Sequence, residues 1–276
     1  MENILCEENY FSQENQQIYT GSSQIKEFID CPARAMAKLK GEWVEEKNTA
    51  LLVGSYVDAA MSNTLDVFKA QHPEILKRDG NLKAEYLQAD YIIQRMERDK
   101  LFMKYISGDH QQIMIAYFDI NTKEWSKEKN TNSQIPIKIK IDSYFPEKAI
   151  VDLKCVKDFK DIYNEKTKQK ENFVDYWKYT LQGALYQKVV EVNTGNRLPF
   201  FIAAITKEKE PDLALLNIDQ ETLDTELQKL EEIYLPLVHN IKSGNIVADS
   251  CGHCDYCRFN KQLTEIINYK DLGKEE

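Results

Sequence analysis

Apolar and polar residues alternate without a break from Ile135 to Asp142. Ile135, Ile137, Ile139 and Ile141 are set against Pro136, Lys138, Lys140 and Asp142. A period of two is that of a strand with one face on a core, so a half-buried strand is expected here. Tyr144 to Lys148 reads as containing a turn and Ala149 to Cys155 as the returning strand, with β-rich Gln112 to Phe118 ahead of the pair. Around this hairpin the period becomes helical. Ser22 or Ser23 can cap a helix through Ile25 and Phe28, and Pro32 opens a second, ended by Gly41. Ala50 to Phe68 reads as a helix containing Gly54, a place for close backbone approach. Leu87, Tyr91, Met96 and Leu101 mark one helix over Ala84 to Tyr105, and Trp177, Leu181, Leu185 and Val189 mark another over Asp175 to Val192. Strands at Phe200 to Thr206 and Leu213 to Ile218 and a helix from Glu221 to Ile241 complete the series. This order predicts an α/β fold: a central mixed β-sheet flanked by helices, with an N-terminal helical region.

The expected organisation is a polar, irregular arm over 1–20, one domain over 21–260 and a charged tail over 261–276. Within the domain, a helical part runs to about 110, a core from about 111 to 220, and a C-terminal helix with a cysteine cluster over 221–260. No uncharged apolar stretch nears the roughly 18 residues of a membrane span. The opening MENILCEENY is acidic and lacks the basic start of a secretory signal, so a cytoplasmic location is expected. The net charge of −9 argues against a protein that coats nucleic acid nonspecifically. That charge is unevenly spread. Residues 123–188 hold 14 Lys against 10 Asp and Glu, a balance of +4, which leaves −13 to the flanks.

Three of the six cysteines form C-x2-C-x2-C: Cys251, Cys254 and Cys257. Such spacing lets a turn of backbone aim several sulfurs at one point, which suits a metal. A fourth ligand is needed from Cys31, Cys6, Cys155 or His253. Cys31 is favoured because Pro32 places it at a helix start. Zinc and a four-iron cluster both accept this donor set.

Asp142, and Asp152 with Lys154 across the hairpin, form the sharpest chemical signal. Alternation along the returning strand gives Asp152 and Lys154 one face and Val151, Leu153 and Cys155 the other. Two close carboxylates repel unless a divalent cation lies between them, and Mg²⁺ takes such oxygens while retaining waters. A lysine alongside can orient or deprotonate water, or stabilise phosphoryl charge. That chemistry is phosphodiester hydrolysis.

Asp142, Asp152 and Lys154 resemble, in order and spacing, the PD-(D/E)XK nuclease superfamily, in particular its RecB-like branch with a restriction-endonuclease-like core. Gln182-Gly-Ala-Leu-Tyr186 matches the branch's Q-x3-Y element, and Trp177-Lys-Tyr179 precedes it. Gly54-Ser-Tyr-Val-Asp58 stands where the branch carries G-x3-H, with aspartate in the histidine's place. Cys31 with Cys251, Cys254 and Cys257 follows the order in branch members whose four-iron, four-sulfur cluster ties the two ends together, so the resemblance implies such a cluster on these four cysteines; their last gap is often longer, which leaves zinc as the alternative. Phage-type RecE-like exonucleases give the best likeness over the chain. The resemblance implies a Mg²⁺- or Mn²⁺-dependent exonuclease acting 5′→3′ on linear duplex DNA in phage-type recombination, with a single-strand annealing partner and with a homo-oligomer left open. It implies metal ligation by Asp142, Asp152, the Leu153 carbonyl and Asp58, water positioning by Lys154, and ordering of the site or the DNA by Gln182 and Tyr186. Lys157 and Lys160 could touch the DNA backbone. A single-strand exonuclease, an endonuclease, and a non-catalytic metal-stapled DNA-binding protein are the alternatives.

Overall fold

In a computed structural model of the chain, residues 5–45, 48–263, 266 and 268–271 are described. Half of the charged tail, and the first four residues of the expected arm, therefore lie outside the described residues. The helices are α1 (Gln13–Ile18), α2 (Ser22–Asp30), α3 (Pro32–Lys40), α4 (Thr49–Met61), α5 (Leu65–Gln71), α6 (Ala84–Glu97), α7 (Lys100–Ile106), α8 (Phe173–Tyr176), α9 (Tyr179–Thr194), α10 (Gln220–Lys229), α11 (Leu235–Lys242) and α12 (Asp255–Phe259). The strands are β1 (Asp109–Asp119), β2 (Trp125–Ser126), β3 (Gln134–Phe145), β4 (Ala149–Val156), β5 (Ile162–Asn164), β6 (Gln169–Glu171), β7 (Phe200–Thr206) and β8 (Leu213–Asn217). Six of them form one mixed sheet in the order β2-β1-β3-β4-β7-β8, parallel only between β4 and β7. This is the predicted α/β architecture of a central sheet flanked by helices.

The sheet is covered on both faces. The four alternating isoleucines of β3 pack with Leu181, Leu185 and Val189 of α9. Val151, Ala203 and Ile205 pack with Tyr56, Ile92 and Phe102 from α4, α6 and α7. Gly183 lets α9 lie close to β7, because a Cβ there would sit 2.7 Å from Phe200. Gly54 differs from expectation: nothing lies within 4 Å of its Cβ position, so no backbone approaches it. Two opposite outcomes follow in thermal melts. Gly54→Ala gains roughly 0.5–1 kcal/mol of helix propensity, whereas Gly183→Ala loses about 1–3 kcal/mol by overpacking. Equal shifts would contradict this packing.

Helices read as continuous are divided where local chemistry beats the apolar stripe. Asp99 accepts the N–H groups of Leu101 and Phe102 at 3.0 and 2.9 Å, so α7 starts afresh. The helix predicted over Ala50 to Phe68 breaks at Asn63, whose φ is 59°. Pro236 cannot donate at the start of α11, and a five-residue π turn, Leu230–Tyr234, joins it to α10.

The arm and the exposed strand face need correction together. β3 pairs with β4 only through Ser143–Phe145 against Ala149–Val151. Beyond Ser143 the two strands part, leaving an edge of β3 to be satisfied. Thr20 fills it. Its N–H donates to the Pro136 carbonyl at 2.8 Å, and its own carbonyl accepts from Lys138 at 3.1 Å. The preceding segment is thus ordered and carries α1, with Tyr10 and Asn15 buried. It also covers Lys138, read from alternation as solvent-facing but 1% exposed, whose ammonium reaches the Tyr10 carbonyl and lies 4.4 Å from the centroid of its ring.

Candidate active site and cysteine cluster

The parting of β3 from β4 creates the site. Asp142 stands where pairing stops, and its Oδ2 accepts the Leu153 N–H at 2.8 Å, a bond that replaces the missing strand ladder. In an extended strand a residue's N–H and C=O point to the same side, so the Leu153 carbonyl also faces this fork. Asp152, 2% exposed, points to the same cleft. Its Oδ1 accepts from Gln182 Nε2 at 2.7 Å, and its Oδ2 faces the Lys154 ammonium without any other partner. Val151, Leu153 and Cys155 pack into the opposite core, as the alternation requires.

Asp58 reaches the cleft from α4, and Gln111 Nε2 donates to its two oxygens at 3.2 and 3.0 Å. Gln111 holds φ at 54° inside β1, an uncommon conformation for a non-glycine residue that favours a functional constraint. Burial raises the carboxyls of Asp58 and Asp142, and Asp142 is pushed further by Asp152 and Asp58. Burial alone would lower Lys154, but Asp152 and Asp142 more than reverse this, so its ammonium is firmly held. The three acids do not close to the mutual 4.8 Å of the cysteine sulfurs described below. Three enclosed carboxylates, with Lys154 beside Asp152 and Lys140 acting on Asp58, make the setting in which a divalent cation binds.

Gln182 and Tyr186 lie one turn apart on α9, both buried. Tyr186 donates to the Lys140 carbonyl at 3.0 Å and so fixes β3 two residues before Asp142. The sequence reading missed what orients Gln182: Lys26 of α2, whose ammonium donates to Gln182 Oε1 at 3.1 Å. Because Oε1 is taken, the amide presents its N–H₂ to Asp152. Lys26 and Lys154 also lie 4.8 and 4.9 Å from the centroid of one ring, Tyr179. Helical periodicity gives no sign of this, since Lys26 falls beside buried Ile25 like any flanking lysine.

Burial, with Lys154 and Lys178 nearby, pulls Lys26 from 10.5 down to about 7. The unfolded chain therefore binds more protons than the native one between those values, and stability rises with pH across that window. Lys26→Met is expected to flatten urea-unfolding stability between pH 7 and 10 by at most about 1.4 kcal/mol per pH unit. Parallel pH profiles for the two proteins would contradict this.

Across α2 from the fork, Cys31, Cys251, Cys254 and Cys257 bring their sulfurs within 4.8 Å of one another. Cys31 to Cys257 is 3.5 Å, and Cys251 to Cys257 and Cys254 to Cys31 are each 3.8 Å. Cys31 ends α2 and caps α3, while Cys257 lies in α12, so the cluster ties the two ends of the fold together. Ala33 adds a backbone bond to Asp249 at 3.0 Å, and Trp43 packs on Tyr256 and Phe259. Burial opposes ionisation of Cys257, yet a 2.9 Å hydrogen bond from Ser250 helps pull it down to about 6. The other candidates are elsewhere. Cys155 lies in the α4–α6–α7 core, where burial raises its thiol to about 11. Cys6 lies outside the group, and so does His253, which lines the cleft beside it.

No helix among the described residues is long and apolar enough to cross a membrane. The chain matches the model of a PDDEXK-like domain of unknown function (DUF3799) over residues 21–260. The crystal structure of a candidate exonuclease from Eubacterium rectale matches it with a TM-score of 0.86 and 41% sequence identity, covering 98% of each chain. No curated protein matches it. Fold, fork and these likenesses agree, and the chain belongs to the PDDEXK-like domain family.

Proposed function

We propose that this protein is a divalent-metal-dependent DNA exonuclease acting on linear duplex ends. The observation that carries the reading is the fork between β3 and β4, which gathers Asp142, Asp152 and Lys154 in one cleft with Asp58. The residues fit a divalent ion, because Asp152 Oδ2 is buried with Lys154 as its sole partner and burial raises the carboxyls of Asp58 and Asp142. Asp142, Asp152, the Leu153 carbonyl and Asp58 are the assigned ligands. When bound, Mg²⁺ or Mn²⁺ polarises the phosphate and makes water a better nucleophile. Lys154, paired with Asp152, stands where it can orient the attacking water and offset phosphoryl charge. Gln182 and Tyr186 act as positioning residues, the first on Asp152 and the second on β3. A 5′→3′ direction, a role in phage-type recombination and a single-strand annealing partner rest on the RecE-like resemblance of these motifs.

The cysteine cluster reads best as one tetrahedral thiolate-bound ion, zinc. Zn–S bonds of about 2.3 Å give a tetrahedron edge of about 3.8 Å, and three sulfur pairs lie at 3.5, 3.8 and 3.8 Å. A four-iron cluster sits between its thiolates and needs them spread wider. Anaerobic purification decides: a colourless protein with about one zinc per chain is expected, and a brown protein with four irons would overturn it.

Activity is tested by incubating matched linear and covalently closed circular duplexes with Mg²⁺. Loss of the linear DNA alone supports an exonuclease. Loss of the circle points to an endonuclease, and survival of every substrate would refute the nuclease reading.

A further inference from the structure

Trp177 is 51% exposed beside the carboxylate fork, an unusual place for an indole. The helix predicted over Asp175 to Val192 breaks here into α8 and α9, because Lys178 adopts φ 52° and ψ 45°. An ion pair to Asp30 at 3.1 Å holds Lys178, and the Tyr176 ring meets the indole edge-on at 4.8 Å. Non-glycine residues in this conformation mark sites where the surroundings enforce a particular geometry.

Two clefts meet at this tryptophan. One, of about 910 Å³, opens from Asp142 and Lys154 and passes Lys157, Lys160 and Lys207. The other, of about 360 Å³, continues past Arg34 to Cys254. Trp177, Tyr176 and Lys26 line both. Outside the fork, the two together carry seven Lys and Arg side chains against four Asp and Glu. The cleft on the opposite side of the carboxylates, about 760 Å³, lacks that excess: it sets Glu7 and Glu8 against Lys140 and the buried Lys138.

A basic groove that presents an aromatic face is the chemistry that holds unpaired nucleic acid, with phosphates on cations and bases on rings. Inside a duplex the base faces are already stacked on one another, and an indole can reach only the outer face of a terminal pair or a base that has left the stack. We propose that an unpaired DNA strand occupies this groove beside the scissile bond, with one base stacked on Trp177 and its phosphates against Lys157, Lys160 and Lys207. The inference rests on the nuclease reading and extends it by naming an unpaired strand, released from the duplex end, as what lies along the groove.

The test is equilibrium binding of a fluorescein-labelled oligothymidylate to wild type, Trp177→Ala and Trp177→Phe without divalent ion, with a gel to show the oligonucleotide intact. Melting curves confirm that each variant is folded. Trp177→Ala is expected to weaken strand binding by about 5- to 100-fold. Trp177→Phe, which keeps a stacking face, should stay within about 3-fold of wild type, and a blunt duplex should be little affected by either change. Unchanged strand binding by Trp177→Ala, or equal weakening toward strand and duplex, would overturn the proposal. The two readings fail separately. A protein that cleaves DNA yet binds the strand equally well without Trp177 loses the groove and keeps the nuclease. A protein that depends on Trp177 for strand binding but cleaves nothing loses the nuclease and keeps the groove.

Discussion

Asp152→Asn is expected to abolish cleavage of linear duplex DNA while leaving the protein folded. The amide keeps an oxygen for the 2.7 Å bond from Gln182 but carries no charge for a cation or for Lys154. Removing a preorganised charge from such a site costs about 10²–10³-fold or more in rate. Alanine is the poorer choice. Asp152 is 2% exposed, and truncation would also remove the acceptor of the Gln182 amide, leaving a buried donor unsatisfied at a cost of about 1–3 kcal/mol. Single-turnover digestion with matched melting curves measures both effects. If Asp152→Asn keeps a tenth or more of the rate, Asp152 is removed from the chemistry.

The second large effect belongs to the cysteine cluster. Cys31→Ser is expected to release the bound ion and lower the melting temperature by on the order of 10 °C, since structural thiolate sites contribute folding energy outright. Cys31 ends α2, the helix whose Lys26 orients Gln182 and through it Asp152. Nuclease activity should therefore fall with metal content although no sulfur touches the fork. Cys6→Ser is the control, because Cys6 lies outside the sulfur group, and it should keep both metal and melting temperature. Unchanged metal content in Cys31→Ser would take Cys31 out of the ligand set.

Much of this was legible along the chain because the relevant signals are local. The isoleucine alternation marks β3, and D-x-K on an alternating strand places Asp152 and Lys154 on one face, where the structure has them. The cysteine spacing pointed to a cluster, and the Cys-Pro step picked Cys31 from four candidates. What stayed hidden depends on where two strands separate. Alternation made Lys138 solvent-facing, but β3 leaves β4 after Ser143 and the amino-terminal segment covers the vacated edge. No pattern in residues 5–20 announces that role, because it needs one bridge at Thr20 and carbonyls aimed at a lysine more than a hundred positions away. Lys26 was missed for the same reason: its partner Gln182 is 156 residues on.

The charge pattern fits this arrangement. The net −9 spares the centre of the chain, where the +4 balance of residues 123–188 includes Lys157, Lys160 and Lys178 around the cleft. An acidic protein with one basic groove can hold a strand locally and still let its product go.

The most direct measurement is time-resolved digestion of end-labelled linear duplex DNA across a Mg²⁺ titration, with Asp152→Asn alongside. Progressive release of short products from the end, dependent on Mg²⁺ and absent with the variant, is the expected result. Digestion without divalent ion, or equal digestion by Asp152→Asn, would contradict the assignment of the fork as a metal-dependent nuclease site.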